Sequence, residues 1–525
     1  MKKGLFFLVV LIASFAVFAM GGGESAKEIN DTKIEINETG FPIVNKPLTM
    51  TVFGIRDANQ APWKDILVFK EYEKKTGIHM DWQEIPDQGK EEKKSLLFAS
   101  NDLPDVFVRP IFSRNEITMY GVESGQLMPL NDLIEKYAPN FMKLCNENPD
   151  ILRSITSSDG NIYALPQVDT SNTGKIGFKQ WINKEWLEKL GLEAPETTDE
   201  LIEVLRAFKT QDPNSNGKAD EIPLGLREVS AVYTTLSGSF GLHWFMENAI
   251  NIEDGKIHFW LKDAEFKEYL QFLNRLYSEG LLWADFYKRD LPQWRSNLSN
   301  ALFGVFMMPY SDVFLAVENQ FEGLVPLSGP YGDRFWPDSK SGIESNSLAF
   351  ALSNTCRNPE AAIRWVDYFY SDEGSLFFRY GIEGETYYID ENGNPQIYDS
   401  ILNDPRGFMT ALGEINLVPG GLNPCQITSQ TEGIVASEIT KKVAEEMIPY
   451  ADKSIMPPSF SAEETEEILA INQDLDKYRD ESVSRFILGE YSFDMWDEYA
   501  ATLDKIGLSR LEEIYQQAYD RMMSM

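Results

Sequence analysis

Residues 212–221 read Asp-Pro-Asn-Ser-Asn-Gly-Lys-Ala-Asp-Glu, and no other stretch of this 525-residue chain carries such specific chemistry. Oxygen-bearing side chains recur at Asp212, Asn214, Asn216 and Asp220, the first, third, fifth and ninth positions, with Gly217 at the sixth. Such alternation turns hard oxygen ligands inward around a cation, and the glycine permits the sharp bend. It is the spacing of an EF-hand calcium loop. Lys218, at the seventh position, would contribute its backbone carbonyl, so its charge need not interfere. Pro223 stands where the closing glutamate belongs, and Glu221, two residues earlier, offers a carboxylate instead. An Asn/Asp/Gly-rich surface turn explains the composition without a metal, but not the regular alternation. A bound Ca2+ is therefore expected. A single loop without paired helices argues against a sensor, so the ion's role would be structural, pinning the loop after the Leu201–Lys209 helix.

Catalytic patterns are missing. There is no Gly-x-Ser-x-Gly elbow, no His-Glu-x-x-His and no phosphate-binding loop. His79, His243 and His258 are scattered singly, which disfavours a zinc centre or a serine triad. Cys145, Cys356 and Cys425 are odd in number and fit no zinc spacing. Cys425 as a nucleophile lacks an evident base, and a buried structural thiol is expected. Carboxylate pairs for glycoside hydrolysis can be nominated anywhere in so acidic a chain and carry no information. Eleven tryptophans and 22 tyrosines are more telling. Flat rings stack on the C–H faces of sugars while Asp, Glu, Asn and Arg bind their hydroxyls, so a carbohydrate cleft combines both. Most of these rings must nonetheless be core.

The elements that would position such groups alternate in type. Leu48–Ile55 reads as a strand, Trp63–Lys75 as a helix stopped by Gly77, and His79–Ile85 as a second strand. A charged helix then leads through Pro104-Asp105 to a third strand at Val106–Val108. This order predicts a parallel sheet with right-handed crossovers, whose ligands sit beyond the carboxyl ends of the strands. Arg56, Asp57 and Arg109 directly follow such ends. A second unit begins after Tyr163-Ala164-Leu165-Pro166. There Asn183 caps a short helix stopped by Gly191, and Thr197 with Glu200 forms a capping box before Leu201, Val204, Leu205 and Phe208. Asn358-Pro359-Glu360 opens a further helix. No internal repeat is visible.

At the N-terminus, Lys2 and Lys3 precede an apolar run from Leu5 to Phe18, with Val17 and Ala19 at the positions a signal peptidase reads. Residues 1–19 are thus a predicted secretory signal, whose apolar run falls short of the roughly 20 residues that span a bilayer. Met20 stands where a lipid-accepting cysteine would follow. Residues 20–46 open Gly-Gly-Gly and read as a flexible tether. The remaining length exceeds one core and suits two large units. A net charge of −34, without a dense basic stripe, excludes nucleic acid and anionic membranes as natural partners.

Several short motifs carry a family resemblance in their order and spacing. They are Asn101-Asp102-Leu103-Pro104-Asp105, Tyr163–Pro166, Trp181-Ile182-Asn183-Lys184-Glu185-Trp186-Leu187, Asn358-Pro359-Glu360-Ala361-Ala362, Gly381-Ile382-Glu383-Gly384, and Ile514-Tyr515-Gln516-Gln517-Ala518-Tyr519. From Leu48 onward the chain resembles extracellular solute-binding proteins of bacterial ABC transporters, in the large oligosaccharide branch with alginate-binding and lipoprotein-like members. The resemblance implies a type II periplasmic-binding-protein-like α/β fold: two lobes, each a mainly parallel sheet flanked by helices, closing around solute. It places lobe one at 47–166 plus 344–383 and lobe two at 167–343 plus 384–525. Large relatives carry a matching calcium loop in which the consecutive Asp and Glu, here Asp220 and Glu221, both serve as ligands. By position it nominates Arg56, Asp57, Arg109, Gln167, Asp169, His243, Trp244, Tyr310, Glu383 and Tyr387 for solute contact. It further implies a monomeric, non-enzymatic periplasmic receptor that delivers a sugar-type solute to permease subunits. A peptide receptor, a secreted calcium-stabilised glycan-degrading enzyme and a partner of a membrane kinase are the alternatives.

Overall fold

The computed structural model of the protein describes residues 34–243, 249–336, 348–451 and 458–524. Leu48, Met50 and Val52 alternate with less buried neighbours, and every residue from Val52 through Ile55 is buried. The strand Leu48–Arg56 is therefore half covered where it starts and enclosed where it ends. It lies between two parallel partners, Ile78–Pro86 and Val106–Phe112. Leu348–Leu352 and Ala164–Pro166 complete this five-stranded sheet. A second sheet orders its strands Phe321–Gly323, Lys179–Asn183, Phe303–Met308 and Ile222–Leu224.

Each sheet is mixed, with one reversed strand. In the first it is Leu348–Leu352, antiparallel to both neighbours. In the second it is Lys179–Asn183. Both are the strands by which the chain arrives from the other sheet, so the departures from a parallel pattern mark the crossings. Buried apolar side chains divide accordingly. One cluster collects residues 43–168 and 348–378 with Leu417 and Cys425, another collects 176–336 and 443–522. Tyr380, Tyr387, Ile397, Leu412, Val418 and Ile434 form a small third cluster.

Local signals were realised closely. Asn183 caps its helix by accepting from the Trp186 N–H, and Thr197 with Glu200 forms the reciprocal box. The expected Trp63–Lys75 helix is a short turn, Trp63–Asp65, followed by an extended Ile66 and the helix Leu67–Thr76. Trp63 causes the interruption. Its N–H donates to Glu84 (2.9 Å) and its indole to Gln60 (3.0 Å), and its ring lies where a Cβ on Gly54 would fall 2.2 Å away.

The expected tether needs correction. Residues 34–46 pack on the first lobe: Ile43 and Val44 are buried, Phe41 meets Tyr368 edge-on at 5.2 Å, and Arg364 donates to the carbonyls of Asn37 and Gly40. The apolar pair is too short to stand out among polar neighbours in sequence. Residues 1–33 lie outside the described residues, as does the predicted signal. Among the described residues no helix is long and apolar enough to cross a membrane. All three cysteines are buried free thiols, and burial pushes each up to about 12.

Candidate functional site

The carboxyl end of the first sheet gathers polar groups. Arg56 donates to the Gln60 carbonyl (3.2 Å), with Glu84 3.5 Å from its Nε. Asp57 accepts from the backbone and amide of Asn59 at 2.9 and 3.0 Å. Both remain partly open to solvent. Arg109, predicted to contact solute, is instead buried, and its guanidinium is committed to the backbone carbonyls of Ile55, Gly420 and Gly421. Burial lowers its pKa, opposed by the nearby Asp57 and Asp87. Gln60, missed in the sequence, is buried here and donates to the carbonyls of Leu417 and Pro419.

Gln167 and Asp169 lie on the first crossing. Val168–Asp169 pairs in parallel with Gln426–Ile427, a segment that runs the same way, from the first lobe toward the second. Gln167 accepts from the Asn423 N–H at 2.9 Å. Asp169 accepts from the backbone and hydroxyl of Ser171, and burial pushes its carboxyl up to about 6. Around this ribbon Thr173 donates to the buried Glu432, and Arg379 donates to the Thr431 carbonyl at 3.0 Å. Buried polar groups are affordable only when hydrogen-bonded, and a satisfied network specifies one register.

At the second sheet, Lys179 is fully buried and donates to the carbonyls of Ile176 (2.7 Å), Gly177 (3.1 Å) and Pro309 (2.8 Å). Tyr310 stacks its ring 5.1 Å from that ammonium, which holds the strand end Met308–Tyr310 against the crossing. His243 stacks on Phe335 (3.9 Å, 16°) and lines an open cavity of about 770 Å³ together with Asn251, Tyr331 and Asp333. Trp244 lies outside the described residues. Glu383 is exposed, while Tyr387 is buried against Tyr380 in the third cluster, which commits its ring to packing. Sequence reasoning also missed Arg227, Glu228 and Arg289: Glu228 bridges the two arginines at 2.7 and 2.9 Å. Arg227 and Glu228 lie just beyond Ile222–Leu224, a short strand that escaped notice, and Arg289 reaches Glu228 from the end of the Phe286–Lys288 turn.

The 212–221 loop forms a self-bonded turn. Asp212 accepts from the N–H groups of Asn216 (3.1 Å) and Gly217 (3.0 Å), and Asn214 and Asn216 donate to Asp220 at 3.0 Å. Asp212, Ser215 and Gly217 adopt positive φ. Those amide donors hold the Asp220 carboxyl below its ordinary range. Burial, with smaller contributions from Asp212 and Asp220, raises Glu221, whose Oε1 is buried and accepts no hydrogen bond among the described residues. No group of three or more His, Cys, Asp or Glu side chains is gathered to hold a metal among the described residues.

Two α/β lobes joined by paired crossing strands, with polar side chains at the strand ends on either side, define a two-lobe receptor. The chain belongs to the bacterial extracellular solute-binding protein family, whose sequence model matches residues 57–375. FusA of Streptococcus pneumoniae serotype 4, a fructooligosaccharide ABC transporter substrate-binding protein, is 28% identical over 98% of this chain and 97% of its own. The solved structure of a FusA EF-hand mutant in complex with fructo-nystose has a TM-score of 0.71 at 25% identity, covering 91% of this chain and 99% of that one. The alginate-binding protein AlgQ2 without calcium ion shares the fold, with a TM-score of 0.70 at 24% identity over 91% and 99% of the two chains. The protein is thus an extracytoplasmic solute-binding protein of the ABC-transporter type with a type II periplasmic-binding-protein-like fold.

Proposed function

We propose that the protein captures an oligosaccharide between its lobes and hands it, unaltered, to the membrane-spanning subunits of an ABC importer. The observation that carries this reading is the ribbon of Val168–Asp169 against Gln426–Ile427, which joins the two sheets beside the polar strand ends of each. Rotation about this ribbon brings the two sets of groups together. Solute favours the closed state because only that state contacts it from both sides. The core clusters support lobe one as 47–166 with 344–383 and lobe two as 167–343 with the C-terminal helices, the stretch 384–434 lying alongside the crossing. Contact with solute falls to Arg56, Asp57, Gln167, Asp169, His243, Tyr310 and Glu383. Export rests on the leader read at residues 1–19, and Met20 in the lipid-acceptor position favours a periplasmic form.

The 212–221 loop fits Ca2+. Asp212, Asn214, Asn216, Asp220 and Glu221 supply hard oxygens within one turn, and Lys218 its carbonyl. The buried Glu221 Oε1, which accepts no hydrogen bond among the described residues, is an acceptor that a divalent cation would satisfy. When bound, the ion would neutralise the loop's carboxylates and stiffen the turn. The protein's own contribution is the helix Thr198–Thr210 and the strand Ile222–Leu224, which fix the two ends of the turn.

A thermal-shift screen against neutral and acidic oligosaccharides, with and without chelator, tests both readings. A ligand that binds only the native state at about 100 times its Kd stabilises by about 2.7 kcal/mol. We expect a shift with at least one oligosaccharide, recovery of that sugar intact, and a lower melting temperature with chelator. Shifts with peptides alone, or new reducing ends, would contradict the sugar-receptor reading. Indifference to chelator would contradict the metal.

A further inference from the structure

The strand Val106–Phe112 is irregular where it reaches the polar end of its sheet. Val108 pairs with Phe350 and Phe112 with Leu348, so residues 109–111 stand opposite the single Ala349. Arg109 (φ 50) and Ile111 (φ 54) flank Pro110 in the left-handed region, which is costly for residues with a Cβ. A bulge of this kind re-aims a side chain, and here it turns the Arg109 guanidinium under the segment 417–423.

That segment is held with unusual thoroughness. Arg109 donates to the Gly420 and Gly421 carbonyls, Gln60 to those of Leu417 and Pro419, and the Asn423 amide to that of Leu417 at 3.0 Å. Gly420 (φ 98) has no room for a side chain, since a Cβ would lie 2.6 Å from Arg109 Nη2 and 2.8 Å from the Asp57 Cβ. Gly421 (φ 61) and Leu422 (φ 53) continue in the same region, and a Cβ on Gly421 would meet nothing within 4 Å. The inner side of the turn is filled and the outer side is open. Strained residues on both contacting segments, Arg109 and Ile111 below and Leu422 above, cluster at one spot. Such strain persists where the surrounding structure enforces it, and it collects at ligand-binding positions. Four residues on, the same segment becomes the crossing strand Gln426–Ile427.

We infer that Arg109 is a positioning residue that seats 417–423 as the solute-facing wall of the first lobe, and that the open edge of Gly420–Gly421–Leu422 selects among sugars. The inference rests on the receptor reading above and deepens it: the wall that touches solute is continuous with the strand about which the lobes turn.

Two variants test it, using the full mature protein with kestose, other neutral oligosaccharides and alginate-derived acidic ones. Gly421→Asn places a side chain in the open space, and Asn tolerates the left-handed region. Its melting temperature should stay unchanged while affinity for the best-binding sugar falls roughly tenfold or more and the ranking of sugars changes. Arg109→Lys keeps the charge but loses the planar fork. It should speed amide exchange at 420–422 without solute and narrow the differences in affinity between sugars. Wild-type affinities and ranking in Gly421→Asn would overturn the selectivity role. Unchanged exchange at 420–422 in Arg109→Lys would overturn the positioning role, and this readout needs no sugar. If no sugar binds the unsubstituted protein, the receptor reading fails and the selectivity role with it, while the exchange result still decides the positioning role.

Discussion

Asp169 shows how much the crossing asks of a single side chain. Its Oδ1 accepts from the Ser171 N–H and hydroxyl at 3.0 and 2.5 Å, and a Cβ on Gly174 would fall 2.1 Å from its Cγ. Burial raises the carboxyl to about 6, opposed by Ser171 and Arg379 and reinforced by Glu432. An unfolded aspartate titrates near 3.9, so as pH falls from about 6 to about 4 the folded state takes up the proton first and gains stability. Asp169→Asn should therefore be more stable than wild type at pH 7, by on the order of 1–3 kcal/mol. The difference should shrink toward pH 4. Asp367 is also raised to about 6 by burial, so the comparison must be variant against wild type in denaturant melts across pH. A difference constant from pH 4 to 7 would contradict this account. At this scale the sequence placed Arg56 and Asp57 at a strand end, because strand ends follow a local rule. It was uninformative at Arg109, because a bulge that reverses a side chain leaves no periodicity to read. Tyr387 belongs with Arg109: an aromatic near a crossing looks the same whether it stacks on solute or on Tyr380.

Elements were most legible where a local hydrogen bond decides their ends. Thr197 with Glu200, Asn183 before Trp186 and Gly77 after Thr76 each satisfy orphan groups within a few residues, so spacing alone reveals them. The short strands Ile222–Leu224 and Phe321–Gly323 exist only because longer neighbours pair with them, and no local pattern announces them. Tertiary capture is clearest at the C-terminal helix Leu508–Met523. There Glu512 and Gln516 accept the N–H groups of Phe259 and Ile257 at 2.9 and 2.8 Å, along the edge of the hairpin of Ile250–Glu253 and Lys256–Phe259. His258 joins the same contact, with Asp263 2.8 Å from Nε2 and Glu512 3.3 Å from Nδ1. Asp263 first, then Glu512, raise the imidazole to about 10. The raised value means the protonated ring stabilises the fold fully below the unfolded pKa near 6.5, and that contribution is lost as pH climbs toward about 10. His258→Gln should lower the melting temperature at pH 6 and converge on wild type near pH 10. An equal deficit at both values would contradict the pairing.

At the scale of the molecule, the two-lobe plan was legible from alternating elements and from the family motifs. The direction in which the chain enters each sheet was not. Each reversed strand, Leu348–Leu352 and Lys179–Asn183, records an arrival from the other sheet, and its direction depends on partners more than a hundred residues away. The folding of residues 34–46 against Tyr368 and Arg364 was hidden for the same reason. The net charge of −34 repels polyanions but does not indicate the solute. What the whole arrangement provides is a pair of polar faces on a narrow polar ribbon, and closure about that ribbon is the central claim. Small-angle X-ray scattering of the mature protein, with and without a saturating oligosaccharide from the screen, tests it most directly. A smaller radius of gyration with sugar, reversed on its removal, is the expected result. A sugar that binds tightly and leaves the scattering profile unchanged would contradict capture by closure.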